Sequence, residues 1–153
     1  MPRVVVSIDQ GTTGTRATVV DEEGSVLGYA YREHRQIYPR PGWVEHDPRE
    51  IWLNTLDVVK RAMEAAGVGP GDVVAIGVTN QRETVVVWDP QSGEPLYNAI
   101  VWQCRRTAPL VEKLREEYLD LIYSRTGLFP DPYFSSTKIW WLLDNVPGLR
   151  ERA

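Results

Sequence analysis

Cysteine is almost absent: Cys104 is the one thiol in 153 residues. A single cysteine excludes an intrachain disulfide and a metal site built from cysteines. Histidine is nearly as scarce, and neither His34 nor His46 has a second ligand at metal-binding spacing. Lysine is rare too, 3 residues against 14 arginines. No basic run interrupts a formal net charge of −4, which argues against a nucleic-acid partner. No apolar run approaches the roughly 20 residues that span a bilayer, so no membrane span is expected. Met1-Pro2-Arg3 leads straight into an apolar segment instead of a signal peptide. A cytoplasmic location is the resulting expectation. No internal repeat or low-complexity tract is present, and the length suffices for one sizeable core.

What is present reads as an α/β chain. Val4 to Ile8 is a short continuous apolar run, as in a strand buried on both faces. Arg16 to Val20 and Ser25 to Tyr31 follow as strands, joined by the polar turn Asp21-Glu22-Glu23-Gly24, so an antiparallel three-strand meander is expected. A proline-punctuated loop leads to Trp43-Val44-Glu45-His46. Asp47, Pro48 and Glu50 then form a helix-start signature, with Ile51, Thr55, Val58, Val59, Ala62 and Ala66 as one stripe and Gly67 as the stop. Val73 to Val78 reads as a second buried strand, and Val85 to Trp88 as a further one. Asp89 to Glu94 is a turn. Thr107 caps a helix whose inner face is Leu110, Val111, Leu114, Tyr118 and Leu121, ended by Gly127. Ser135 or Ser136 caps a last helix with Ile139, Leu142, Leu143 and Val146 as its stripe.

Chemistry concentrates at a few points. Asp9-Gln10-Gly11-Thr12-Thr13-Gly14-Thr15-Arg16 is the turn between the first two strands. Two glycines let backbone N–H groups approach a ligand, Thr12, Thr13 and Thr15 add hydroxyls, and Arg16 can fork onto phosphate oxygens. Asp9 is placed to hold a magnesium ion, directly or through water. These are parts of a phosphate clamp, although such a hairpin is also simply a turn. It is not a Walker loop, because no Gly-Lys-Ser/Thr follows and the next element is a strand. Arg82 and Glu83 lie just past the C-terminal end of the Val73–Val78 run, where open α/β sheets bind ligands. They read either as a solvated ion pair or as a guanidinium and a carboxylate facing hydroxyl groups. Trp102 is either a core residue or an apolar wall. Tyr133, between prolines, is either loop packing or a hydroxyl donor. Cys104 reads as a buried spectator, and Trp140 and Trp141 as helix packing.

In order along the chain, the phosphate turn, Trp43-Val44-Glu45-His46-Asp47-Pro48, Asn80-Gln81-Arg82-Glu83-Thr84, Val101-Trp102-Gln103 and Asp131-Pro132-Tyr133-Phe134 resemble the sugar and polyol kinases of the actin-like ATPase superfamily. The set is most similar to the N-terminal part of glycerol kinases. The resemblance runs from about residue 4 to 146. It implies a ribonuclease H-like, actin-like ATPase domain with a mixed sheet, the meander being followed by strand-helix units. It implies residues 1–153 as a truncated N-terminal actin-like domain that binds polyol and phosphate, without its C-terminal counterpart. The charged end Arg150-Glu151-Arg152-Ala153 reads as a helix still under way.

The activity implied is transfer of the γ-phosphoryl of ATP to glycerol, giving sn-glycerol 3-phosphate. ATP and Mg2+ are the implied cofactors, and the full-length enzyme is expected to be a homo-oligomer. Arg82, Glu83, Trp102, Tyr133 and Thr12 are the implied substrate-binding residues. Thr12, Thr13, Gly14 and Arg16 are the implied nucleotide-binding residues, and Asp9 the metal ligand. The general base is expected outside these residues, so the chain by itself is expected to be inactive. Many family members carry Ser at the positions of Gly14 and Thr15. The alternatives are a kinase of another small polyol or ketose, and a non-catalytic binding module of the same fold.

Overall fold

A computed structural model describes residues 3–153. In chain order the elements are β1 (Val4–Gln10), β2 (Gly14–Val20), β3 (Val26–Glu33), β4 (Glu45–His46), α1 (Pro48–Ala66), β5 (Val73–Thr79), β6 (Ala99–Ile100), α2 (Ala108–Thr126), α3 (Ser135–Asn145) and α4 (Leu149–Arg152). They fall into two compact units. One comprises residues up to Arg35 together with Pro48–Gln81; the other comprises Gln36–Asp47 and Arg82–Ala153.

The first unit is a four-stranded mixed sheet in the order β3-β2-β1-β5. The expected meander is present: β1 pairs antiparallel with β2, and β2 with β3. The crossover helix α1 then delivers β5 parallel to β1. Alternation decides the core. Val4 and Val6 of β1, Ala17 and Val19 of β2, and Ala30 of β3 point to one face and meet Val58 and Ala62 of α1. Asn54 joins them, donating from Nδ2 to the Glu33 carbonyl at 3.1 Å. Gly28 permits this approach, since a Cβ there would stand 2.1 Å from the Ala62 carbonyl oxygen. Glu50 in the first turn turns its carboxylate to Arg35, bonding its backbone N and its Nε at 3.2 Å each.

Two burial expectations fail in this unit. β1 is covered on one face only, with Val5 exposed. β5 is an edge strand, and its Ile76 and Val78 are 61% and 70% exposed. The register pairs them with Val6 and Ile8, so they share the α1 face. α1, however, packs over β3 and β2 and touches β1 little. An apolar run specifies a strand but not what covers it.

The second unit has a two-stranded antiparallel pairing of β4 with β6, Glu45 opposite Ile100 and His46 opposite Ala99. Val85, Ile100, Cys104, Leu142 and Leu149 form its apolar centre, with Trp43 and Trp141 packed edge to face at 5.2 Å beside it. The expected strand at Val85–Trp88 is absent; this segment makes only single bridges, Val85 to Ile100 and Trp88 to Pro95. Of the expected inner face of α2 only Val111 is buried, while Tyr118 and Leu121 are exposed. On α3, Leu142 is buried as expected, but Ile139 is exposed and Thr137 and Lys138 are buried. Gly127 ends α2 in the left-handed region, φ 70°, as expected.

Inside this unit a charged pair is enclosed by aromatics. Arg106 Nη2 donates to Glu45 Oε1 at 2.5 Å, and both side chains are almost wholly buried. The guanidinium lies over Trp43 at 4.0 Å and Trp141 at 4.6 Å. Asn98 Nδ2 and the Tyr97 hydroxyl complete the Glu45 carboxylate at 2.8 and 3.1 Å. The carboxylate oxygens are satisfied and the guanidinium is stacked on both rings, which offsets the cost of burial, although Arg106 Nη1 has no hydrogen-bond partner among the described residues.

Candidate functional site

The turn between β1 and β2 is tied together by short-range bonds. Gly11 N donates to the Gly14 carbonyl at 3.0 Å. His34, buried just past β3, grips the turn twice: its backbone N donates to the Thr13 carbonyl at 3.2 Å, and its Nε2 donates to the Thr12 carbonyl at 2.9 Å. A carbonyl can only accept, so Nε2 carries the proton. Burial holds the His34 imidazole below its ordinary 6.5, while the Thr12 bond and the charge of Glu50 pull the other way. A sequence with no metal partner for His34 leaves its role open; here it fixes the turn.

The Thr15 hydroxyl is fully buried and donates to Gln10 Oε1 at 2.8 Å, which also accepts from Thr55 at 3.2 Å. Thr15 therefore adds no donor to the turn's outer surface, contrary to expectation. Thr13 is exposed, its Oγ1 3.5 Å from the Tyr31 hydroxyl. A Cβ on Gly14 would stand 2.5 Å from the Arg32 carbonyl oxygen and 2.6 Å from the Tyr31 hydroxyl, so a side chain at this position requires β3 to shift. Asp9 and Arg16 face each other across the β1–β2 ladder and pair at 3.1 Å, both partly exposed. A magnesium ion is usually held by one or two carboxylates together with water and phosphate oxygens. Asp9 fits that description as a single ligand, and among the described residues no cluster of three or more His, Cys, Asp or Glu exists that would hold a metal on protein ligands alone.

The second group is built around Glu83. It is the one non-glycine residue with positive φ among those described, at 65°. A long side chain in the left-handed region is uncommon, and such strain clusters at functional sites. The expected alternative of a surface ion pair with Arg82 is not formed. Glu83 Oε2 instead accepts from both the backbone N and the hydroxyl of Ser135, each at 2.7 Å. Ser135 is the first residue of α3, and Phe134 occupies the cap position, so neither serine caps as expected. The Glu83 carboxylate does, at the end of the helix where a negative charge is favoured.

Tyr133 enters the same group through that helix start. Its ring meets Trp102 edge to face at 6.0 Å and Phe134 at 5.2 Å. Trp102 is half-buried, and its backbone N donates to Thr84 Oγ1 at 3.3 Å. The Tyr133 loop is anchored by Asp131, whose Oδ1 accepts from Tyr133 N at 2.8 Å and pairs with Arg105 at 3.2 Å. Arg115 holds the Pro130 carbonyl at 3.0 Å. Lys138 donates from Nζ to the Tyr133 and Phe134 carbonyls, the latter at 3.0 Å. Glu83, Trp102 and Tyr133 are thus one cluster in the second unit, with Arg82 exposed beside it. Asp9, Thr12, Thr13, Gly14 and Arg16 form the hairpin group in the first unit. Cys104 is fully buried and accepts from Arg106 Nε at 3.1 Å, as a spectator would be placed.

Sequence reasoning missed Lys138, His34, Ser135 and Asp131 as supports of these groups. The Asx pattern of Asp131 two residues before Tyr133 was a legible signal; a lysine in a helix was not.

Comparison with known proteins sets this geometry among its relatives. The model for the FGGY family of carbohydrate kinases, N-terminal domain, matches residues 4–153. Glycerol kinase 2 of Thermotoga maritima is 60% identical over 152 residues, which are 99% of this chain and 31% of that protein. Glycerol kinase of Thermococcus onnurineus is 58% identical over the whole chain, again 31% of its own length. The chain therefore spans about a third of the curated relatives it matches. Among solved structures, Plasmodium falciparum glycerol kinase with ADP superposes with a TM-score of 0.89 at 37% identity, over 98% of this chain and 30% of that one. A xylulose kinase from Rhodospirillum rubrum gives 0.86 at 29% identity, over 98% and 31%. The architecture is the actin-like ATPase fold of these kinases. The chain belongs to the FGGY family of carbohydrate kinases, through its N-terminal domain.

Proposed function

We propose that this chain is the polyol- and phosphate-binding part of a glycerol kinase, which transfers the γ-phosphoryl of ATP to a terminal hydroxyl of glycerol. The observation that carries the reading is the cluster of Glu83, Trp102 and Tyr133, built on a strained backbone at Glu83 and presenting a carboxylate, a phenol and an indole together. The similarity to glycerol kinases supports the choice of polyol.

In this reading Arg82 donates to hydroxyl oxygens of glycerol, and Glu83 uses its free lone pairs to accept from hydroxyl hydrogens. Tyr133 adds a third polar contact, and Trp102 covers the carbon face and excludes water. Thr12, Thr13, the Gly14 N–H and Arg16 hold the phosphates. Arg16 exchanges part of its pairing with Asp9 for phosphate oxygens, which frees Asp9 for the metal. When bound, the magnesium ion supplies charge neutralisation at the phosphates. The chain's own residues orient the two substrates, and the base for the attacking hydroxyl is proposed to lie outside these 153 residues. A cytoplasmic enzyme fits the single buried cysteine, and no helix among the described residues is long and apolar enough to cross a membrane. Exposed Trp52, Leu53 and Leu56 on α1 fit assembly into a homo-oligomer.

Replacing Arg82 by alanine in the natural polypeptide is expected to raise the KM for glycerol at least about tenfold, with no loss of thermal stability. An unchanged KM removes Arg82 from the site. A substrate series with glycerol, erythritol and xylulose tests the polyol: glycerol is expected to give the highest kcat/KM, and a preference for xylulose makes the chain part of a ketose kinase. Binding of polyol and nucleotide by the natural polypeptide without turnover would instead favour a non-catalytic module.

A further inference from the structure

Three lysines are present, and Lys138 alone is buried, with no solvent exposure at all. Its position breaks two local rules. A cation in the first turn of a helix opposes the helix dipole, and a buried ammonium is disfavoured where an apolar side chain of similar length would pack without desolvation. Residues that contradict local rules are retained where they do something else. Lys138 folds back over the start of its own helix, and its Nζ donates to the carbonyls of Tyr133 and Phe134. Tyr133 carries the phenol of the proposed polyol site. Phe134 is the cap position directly before Ser135, whose N–H and hydroxyl hold Glu83. One ammonium therefore braces the backbone under both site residues. Burial pulls its pKa down to about 8, against the neighbouring Glu83, Cys104 and Asp131, which favour the protonated form.

We propose that Lys138 is a positioning residue for the polyol site, fixing the Tyr133–Ser135 backbone so that the Tyr133 phenol and the Glu83 carboxylate hold one arrangement. The inference rests on the reading of Glu83 and Tyr133 as polyol ligands. A purely structural lysine would lower stability and leave the balance of substrate affinities alone. A positioning lysine shifts affinity for one substrate selectively.

The test uses the natural polypeptide with Lys138→Met and Lys138→Gln, and Glu83→Gln in parallel. In Lys138→Met the KM for glycerol is expected to rise at least about tenfold while the KM for ATP stays within about twofold. Lys138→Gln, which keeps one amide donor, is expected to fall between Lys138→Met and the wild type. A folded Lys138→Met with an unchanged glycerol KM, or with both KM values raised equally, overturns the proposal. If Glu83→Gln raises the glycerol KM and Lys138→Met does not, Lys138 alone is wrong. If Glu83→Gln is also silent, the reading of the polyol site falls, and the proposal with it. Should the Lys138 variants fail to fold, hydrogen exchange on the wild type decides. Saturating glycerol is expected to slow exchange at both 82–84 and 133–138. Slowing at 82–84 alone overturns the role of Lys138, and slowing at neither removes the site.

Discussion

The hairpin at Asp9–Arg16 and the cluster at Glu83–Tyr133 are held in opposite ways. The hairpin is held by neutral bonds: Gly11 to Gly14 and Thr15 to Gln10 within the turn, and the two contacts of His34 from just past β3. Its one charge pair, Asp9 with Arg16, is partly exposed and contributes little to stability. The cluster is held by charged side chains, some local and some drawn from distant positions. Lys138 braces Tyr133, Glu83 reaches Ser135, and Asp131 gathers Arg105 and the Tyr133 N–H. The buried Glu45–Arg106 pair lies inside the same unit. A ligand rich in its own charge can be met by a turn whose N–H groups are preset. A small neutral polyol, the ligand proposed for the cluster, offers only hydroxyls, and the protein side must then be stiff to distinguish it.

Breaking the charged supports is expected to have the largest effect on stability. Glu45→Ala leaves Arg106 buried without its carboxylate, and is expected to lower unfolding free energy by about 3–5 kcal/mol. Urea denaturation of the natural polypeptide measures it, and a loss under about 1 kcal/mol would show that the pair is not the main support of its unit. In the hairpin the largest response is expected from Gly14→Ala. The added Cβ meets the Arg32 carbonyl and the Tyr31 hydroxyl, so a loss of about 1–3 kcal/mol is expected together with weaker ATP binding. A fully stable Gly14→Ala with unchanged ATP affinity would contradict the packing assigned to β3.

The smallest effect concerns pH. Burial lowers the His34 pKa beneath its ordinary 6.5, so the unfolded chain takes up the proton first. His34 thus contributes stability fully above 6.5, and this is lost as pH falls from there towards the folded value. His34→Gln keeps a donor for the Thr12 carbonyl and removes the titration. Its unfolding midpoint is expected to change less than that of the wild type as pH is lowered from 7 to 5. Parallel pH profiles would show that His34 does not titrate in this way.

The two regions also differ in how far the sequence reveals them. The hairpin itself is local, and its meander and turn follow from alternation and turn chemistry, although its clasp by His34, 22 residues away, does not. The helix start at Pro48 and the stop at Gly127 are equally local signals. Arg82 and Glu83 stand out as polar groups in a Val-rich run, whereas Trp102 and Tyr133 read equally as packing, and the supports of the cluster do not stand out at all. Ser135 and Glu83 are far apart in sequence, and Lys138 reads as one polar residue on a helix. Burial on β5 was misread for a related reason. Val74, Ile76 and Val78 carry the pattern of a covered strand, yet β5 lies at the edge of the sheet. Coverage is a tertiary property that a run of six residues does not encode.

The central claim is that the two regions serve two different ligands. Steady-state kinetics of the natural polypeptide with Arg82→Ala and with Arg16→Ala, each titrated against glycerol and against ATP, tests it most directly. Arg82→Ala is expected to raise the glycerol KM with the ATP KM within about twofold, and Arg16→Ala to do the reverse. Equal changes in both constants for either variant would contradict the division of labour.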